Sequence, residues 1–369
     1  MTKRSEAIIV GAGPAGIVAA IAARRLELQV TVLDGRIPPI DKPCGEGILP
    51  QGVAALRTLG IILPPDSAFP FRGIRLVDDE QSARADFASA TGFSVRRVKL
   101  HQMLINHAIE AGVEFRWGAR VMQIDTQAVT TAKEKFSYRW LVGADGQTSQ
   151  VRKWAGLDPR FMQRNRFGLC SHFRLKPWSD VTEIHWARDC QIFITPMAGH
   201  EVGVSVLSRQ RGLRLEEALL RFPALAEKLG GATPTTRELG STTSLRILAG
   251  VTRGRVALIG DASGTVDAVT GQGLSISFQQ AIPLAEAMRL DDPAHYQHAH
   301  KHIMAVPVAM SRLMLIMAGS DWIRRKTIRF FQETPGSFSK MLAIHAETTP
   351  LSSVGMAEIA GFGWKLLRT

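Results

Sequence analysis

Three short stretches, far apart in the chain, carry residue types that grip a dinucleotide: Gly11-Ala-Gly13-Pro-Ala-Gly16, Ala144-Asp145-Gly146 and Gly260-Asp261-Ala-Ser-Gly264. In the first, Gly11 permits a tight strand-to-helix turn. Gly13 lets backbone approach a pyrophosphate, and Gly16 allows close helix–strand packing, so that the anion rests on a helix N-terminus. Asp34 follows 18 residues after Gly16, where a carboxylate can hold an adenosine ribose hydroxyl. The two later turns extend the grip beyond what one strand–helix–strand unit reaches. Asp261 suits a polyol hydroxyl. Thr270-Gly271-Gln272-Gly273, opening a helix at Leu274, can aim backbone N–H groups at an electron-accepting ring, with the positive end of a helix dipole behind them.

A second group of reactive residue types lies in Lys42-Pro-Cys44-Gly45-Glu46-Gly47. Glycines on both sides of Glu46 free the backbone to pass close to a planar ring. Cys44, as proton donor or gate, and Glu46, as general acid or base, are therefore the expected catalytic residues. The histidines are less telling. His107 falls on an apolar helix stripe and is expected in the core. His172 and His185 sit on strands whose inward face the sequence does not reveal. His295, His298, His300 and His302 are expected at the surface. The i, i+4 spacing of His298 and His302 has no carboxylate partner beside it, so no metal site is expected.

The elements that must position these residues follow from periodicity. Ala7 to Val10 reads as a strand, Ile17 to Leu26 as an alanine-rich helix, and Gln29 to Leu33 as a second strand. Together they open a parallel sheet. Residues 35 to 50, rich in Gly and Pro, read as a long functional loop. Leu100, Met103, Leu104, His107, Ala108 and Ala111 mark one buried helix stripe. Strands are expected at 113–115, 119–124, 141–144 and 256–259, and a helix at 274–290. From 167 to 207 the pattern alternates with hairpin turns, a sheet of another kind. The division expected is 1–75, 95–166 and 250–290 for the nucleotide-binding domain, 76–94 and 167–249 for a substrate domain, and 291–369 for C-terminal helices.

The stretches Leu141-Val-Gly-Ala-Asp145-Gly146-Gln-Thr-Ser149-Gln-Val-Arg152 and Val256-Ala-Leu-Ile-Gly260-Asp261-Ala-Ser-Gly264, together with Val95-Arg-Arg97-x-x-Leu100-x-x-x-Leu104, resemble fingerprints of a superfamily of FAD-dependent enzymes. It joins the para-hydroxybenzoate hydroxylases (class A flavoprotein monooxygenases) to the geranylgeranyl reductases and flavin halogenases. The resemblance spans roughly residues 5 to 290. It implies an α/β fold: a Rossmann-like FAD-binding domain, an inserted mostly antiparallel β-sheet substrate domain, and C-terminal helices. It also implies non-covalent FAD, with Arg97 on the diphosphate. The cofactor-binding set expected is Gly11, Gly13, Ala15, Gly16, Asp34, Gly35, Arg36, Gly45, Arg97, Val121, Asp145, Gly146, Gly260, Asp261, Gly271, Gln272, Gly273 and Leu274. Asp267, Thr270 and the Lys-Pro-Cys-Gly segment resemble the reductase branch. The Tyr-x-Trp-x-Phe-Pro segment of those reductases is replaced by Gln191-Ile-Phe193-Ile-Thr-Pro196, and the halogenase pattern is missing.

Composition sets the frame. The chain has 369 residues, 45% hydrophobic and 21% charged, an ordinary globular make-up. Three cysteines without metal-type spacing suggest a reducing, cytoplasmic setting. The N-terminal run, interrupted by Glu6, does not read as a targeting segment. Residues 303–318, broken by Pro307 and carrying Arg312, do not read as a membrane span. The net charge of +12 is read as a solvated basic surface favouring anionic cofactors rather than nucleic acid, whose signatures are missing. The run 321–331, with Trp322, Ile323, Ile328, Phe330 and Phe331 among basic residues, is a candidate for peripheral membrane contact. With a single GxGxxG, NAD(P)H is expected to bind transiently, reduce FAD and leave. The leading expectation is a monooxygenase that uses O₂ to hydroxylate a hydrophobic aromatic or polyketide-like small molecule. The alternatives are a reductase of C=C bonds in a hydrophobic substrate and a flavin electron carrier without turnover.

Overall fold

The computed structural model describes residues 3–349 apart from Glu80, Asp158 and Arg164. Strands buried mainly at the sheet centre form a parallel sheet in the order Val256–Leu258, Lys135–Gly143, Lys3–Val10, Val30–Asp34 and, at a partly exposed edge, Glu114–Trp117. The central strands are buried on both faces, which is why they read as continuous hydrophobic runs. Helix Pro14–Arg25 covers one face together with Arg97–Glu110 and the long helix Gly273–Leu290. The first strand has neighbours on both sides that come from different parts of the chain. Crevices for ligands open at such switch points, beyond the carboxyl ends of the strands.

The alternating segment folds as a largely antiparallel sheet: Arg166–Arg174, Glu201–Ser208, Cys190–Met197 and Thr182–Trp186. The hairpin Gly73–Asp78/Gln81–Asp86 joins it through a parallel pairing with Thr182–Trp186. Gly92–Val95 belongs elsewhere, in a three-stranded sheet with Gly47–Ile48 and Ala68–Phe71. That small sheet leads the Cys44 loop from one large sheet to the other.

Three helices, Pro293–Gly319, Asp321–Glu333 and Pro335–His345, close the molecule. The first runs straight through Pro307, contrary to the break expected there. Its 27 residues are long and apolar enough to cross a membrane by length and composition. Its polar residues nevertheless bond to the core: Tyr296 Oη donates to the Leu258 carbonyl at 2.7 Å, and Ser311 Oγ accepts from Asp267 N at 3.2 Å. The basic helix Asp321–Glu333 divides its apolar residues between core and surface. Ile328 and Phe331 are buried against the 73–86 hairpin, while Trp322 remains 56% exposed.

This helix is clasped by Arg324, whose Nε donates to Asp78 at 2.9 Å with both side chains 2% exposed, and whose Nη1 reaches Asp321 at 2.9 Å. Removing one partner of a buried pair strands the other charge away from water. Arg324→Ala should therefore cost about 3–5 kcal/mol, measured by urea denaturation.

Candidate active site

The nucleotide end is built by backbone closeness. Gly11 turns at φ 109°, and a Cβ there would strike the Ala144 carbonyl oxygen; a Cβ on Gly16 would strike the Gly11 carbonyl. At Gly13 a Cβ would meet nothing within 4 Å, so this is the open side of the turn. Asp34 braces the loop, accepting from Ala12 N through one oxygen and Arg36 N through the other, both at 2.8 Å. Gly35 packs on Arg120, and Ala119 N donates to the Asp34 carbonyl at 2.9 Å, which brings the strand beginning at Val121 beside this end.

His101, which the sequence reading passed over, contacts the Ala12 carbonyl at 2.7 Å through Nε2 and is buried. Burial, its largest influence, lowers its pKa. The expected stripe through Met103, His107 and Ala111 is corrected accordingly. The helix buries Leu100, His101, Leu104, Ile105 and Ala108, a face rotated toward the glycine turn, while His107 is half-exposed beside Glu110. A histidine with a carbonyl partner can be buried where periodicity alone favours a methionine.

Asp145 also departs from its expected role. Its carboxylate accepts from Gln150 N at 2.7 Å, Val151 N at 3.2 Å and Ser149 Oγ. It caps the short helix Gln150–Trp154 rather than facing the crevice, which Gly146 lines.

Deeper in, Gly260 N donates to Gln280 Oε1 at 2.8 Å, and Ser263 Oγ donates to the Gly260 carbonyl at 2.8 Å while contacting His300 Nε2 at 3.0 Å. His300 is thus buried, not on the surface as expected. His298 and His302 are exposed and His295 is half-buried, and no group of three or more metal-ligating residues occurs among the described residues. Asp261, on this turn, lines the cleft and is exposed to it, unlike its buried neighbours Gly260, Ala262 and Ser263. Desolvation within the cleft raises its pKa, against the attraction of Lys42, Arg246 and Arg152.

The Thr270–Gly273 turn is held from two further sides. Arg166 Nη1 donates to Asp267 Oδ1 at 2.8 Å, both buried, and Asp267 Oδ1 caps Val269 N. From the C-terminal helices, His345 Nε2 contacts the Thr270 carbonyl at 3.0 Å, and Gln272 Nε2 donates to the His345 carbonyl at 2.9 Å. Gly271 adopts φ 64°, and a Cβ on Gly271 or Gly273 would meet nothing within 4 Å. The bare backbone faces the cleft at the start of an 18-residue helix.

Opposite lies the Cys44 loop. Glu46, a non-glycine at φ 61°, is buried. Its Oε1 accepts from Arg97 N and its Oε2 meets His172 Nε2, both at 2.6 Å. Glu46 N donates to Cys44 Sγ at 3.2 Å, and Thr195 Oγ1 donates to the Gly45 carbonyl at 3.2 Å. Burial pushes the Cys44 thiol up to about 12, with the Glu46 carboxylate adding to it. The cleft between loop and turn holds about 350 Å³ and is walled by Phe71, Ile74, Ile184, Phe193, Leu207 and Val266.

Residues 4–290 match the family described as FAD binding domain. The chain belongs to this family of FAD-dependent oxidoreductases. It is 26% identical over 319 residues to a menaquinone reductase of Mycobacterium tuberculosis, covering 79% of this chain and 78% of that protein. It is 27% identical over 319 residues to a para-nitrophenol 4-monooxygenase of Pseudomonas sp. strain WBC-3, covering 76% and 77%. The geranylgeranyl bacteriochlorophyll reductase-like protein of Thermoplasma acidophilum shares the fold, with a TM-score of 0.75, 18% identity, and 98% and 96% of the two chains covered.

The residues present fit FAD. Arg36, Lys42 and Arg97 crowd the glycine turn. Burial, then Arg36 and Arg97, lowers the Lys42 pKa; burial lowers that of Arg97, whose Nη1 is buried without a partner. Mutually repelling cations with an unpaired N–H suit a diphosphate. Lys42 is the member that the sequence reading left unassigned. Asp261 would take the ribityl chain and Gly271–Gly273 the pyrimidine edge. Losing one charged hydrogen bond costs about 1.5–3 kcal/mol. Arg97→Ala should thus weaken FAD binding roughly ten- to a hundredfold, read by equilibrium titration of the apoprotein.

A pH dependence follows from His300 and His345, both held down at about 4 by burial from an ordinary 6.5. Between these values the unfolded chain takes up protons that the folded chain refuses, so stability falls as pH drops from 6.5 toward 4. Thermal melting across that range should show the decline, and His345→Gln should flatten it.

Proposed function

We propose that this flavoprotein reduces C=C bonds in a hydrophobic substrate, with NAD(P)H as a transient reductant and Cys44 as proton donor. The observation that carries this reading is the placement of the Cys44 thiol on the edge of an apolar cleft, across from the Gly271–Gly273 turn; burial and the Glu46 carboxylate favour its protonated form. Held protonated, the thiol is a poor nucleophile, and it gives up its proton only to a strongly basic centre such as the carbanion left on the substrate by hydride addition. When bound and reduced, the flavin supplies the hydride.

The chain's own residues do the rest. The Gly271–Gly273 backbone, open to the cleft with no side chain at Gly271 or Gly273, and the helix end behind it steady negative charge at the ring's pyrimidine edge. The Phe71, Ile184 and Phe193 wall excludes water and accepts an apolar chain. The menaquinone and geranylgeranyl relatives are named as reductases, which supports the same choice.

The hydroxylase reading stands second. It is favoured by the para-nitrophenol 4-monooxygenase relative, and the same apolar cleft would seat an aromatic ring. The order differs from the expectation drawn from the sequence because the placement of half-buried Cys44 on the apolar cleft, across from the Gly271–Gly273 turn, was not visible there.

Mixing the FAD-loaded protein with NADPH or NADH, with and without O₂, separates these readings. Reduction that persists in air until an unsaturated lipid is added supports the reductase. Rapid O₂-dependent reoxidation with hydroxylated product supports the monooxygenase. No reduction by either nicotinamide supports a carrier without turnover. Cys44→Ser should leave flavin reduction intact and lower alkene turnover by about a hundredfold or more; unchanged turnover would remove Cys44 from the mechanism.

A further inference from the structure

His172 has no part in the cleft wall, yet it is buried and bonded end to end. Its Nε2 lies 2.6 Å from Glu46 Oε2, and its Nδ1 lies 3.0 Å from Thr236 Oγ1. Thr236 is half-buried, so this row of contacts leads from the Cys44 loop toward the protein surface. The neighbouring contacts are as fully specified. Arg96 Nε stands 3.7 Å from Glu46 Oε1, and Arg96 Nη1 is 3.0 Å from Glu201 Oε2. Thr235 Oγ1 donates to Glu201 Oε1 at 2.7 Å. The groups facing the pair are therefore Arg96, Arg97, Glu201, Cys44, Cys170 and Thr236. Cys44 and Glu46 sit two residues apart on one turn and both line the cleft.

We propose that His172, acting through Glu46, controls release and recovery of the Cys44 proton, and is a positioning residue of the proposed reduction. The inference rests on the reading of Cys44 as proton donor. The Glu46 carboxylate opposes thiolate formation beside it. When the S–H bond breaks and its proton forms a C–H bond on the substrate, a second negative charge appears next to Glu46. From the Nε2–H tautomer, the His172 Nε2 proton shifts onto Glu46 Oε2 as Nδ1 takes the Thr236 Oγ1 proton in the same step, which offsets that charge along a contact already 2.6 Å long without leaving an imidazolate. Thr236 Oγ1 regains its proton from solvent, Glu46 passes its own to the thiolate, and the ring proton returns from Nδ1 to Nε2 by exchange with solvent. Each turnover consumes one proton from solvent and one hydride from reduced flavin. A pair of groups that exchange a proton next to a third group changes the acidity of that third group in a signed way.

The signs give the test, and it needs no substrate. In the FAD-loaded protein, alkylation of Cys44 by iodoacetamide is followed at mildly alkaline pH by peptide mass spectrometry. Glu46→Gln removes the opposing charge and should speed alkylation roughly three- to tenfold. His172→Gln keeps an N–H donor to Glu46 but cannot surrender its proton, and should slow alkylation by a similar factor. Thr236→Val, further from the loop, should slow it in the same direction. Opposite shifts for Glu46→Gln and His172→Gln, with FAD occupancy unchanged, support the proposal. Acceleration in both would mean a merely loosened loop and would overturn it, as would no shift in His172→Gln and Thr236→Val. Should the alkylation shifts occur while no alkene is reduced, the reductase reading fails and the control of Cys44 by His172 stands.

Discussion

The architecture depends on one close approach: the Gly11 turn lies against the Ala144 backbone with no side chain between them. Adjacent parallel strands, Lys3–Val10 and Lys135–Gly143, bring the two loops together. Only glycine at positions 11 and 16 lets the strand turn into its helix at that spacing. The crevice that results is narrow, ringed by backbone N–H groups, and flanked by Arg36, Lys42 and Arg97. A site of this kind is electrostatically incomplete without an anion, since Arg97 is buried and its guanidinium, Arg36 and Lys42 repel one another. FAD binding and local stability are accordingly one problem here.

The second theme is support from outside the nucleotide-binding unit. The turn expected at the flavin edge is fixed by Arg166–Asp267 from the antiparallel sheet and by His345 from the last described helix. The Gly260–Asp261 turn is likewise fixed by Gln280 and His300. Buried polar groups of this sort contribute little net stability, and their retention is understood through the geometry that they enforce. Backbone donors must point at one place to stabilise charge, and misplacement by an ångström forfeits most of the effect.

The Cys44 loop joins these parts to chemistry. Glu46 occupies a left-handed conformation that an L-residue adopts only when its surroundings over-determine it. Arg97 N and His172 supply that constraint. The loop thereby sets a protonated thiol opposite the bare turn, with an apolar wall from the second sheet beyond. Three of the chain's cations, Arg36, Lys42 and Arg97, lie close to one another where an anionic cofactor would bind.

The amino-acid sequence by itself determined the parallel sheet, the glycine turns, the family and the cofactor. These signals are local: a tight turn needs its glycines, and a twice-covered strand needs its apolar run. Asp145 shows the limit. Its place in a motif was legible, but its partners, Ser149, Gln150 and Val151, were a matter of which way one carboxylate turned. His101 and His107 differ by less than two helical turns, and only packing against Ala12 decided which was buried. Lys42, His172, Arg166 and His345 were beyond reach for the same reason. His345, Arg166 and His172 acquire their roles from partners 73, 101 and 126 residues away in the chain, and Lys42 from its approach to Arg97 in the folded chain. Separation in the chain carries no information on such meetings; the pairing of sheets and the docking of the last helices decide them, because burial and hydrogen-bond partners exist only once the surfaces meet.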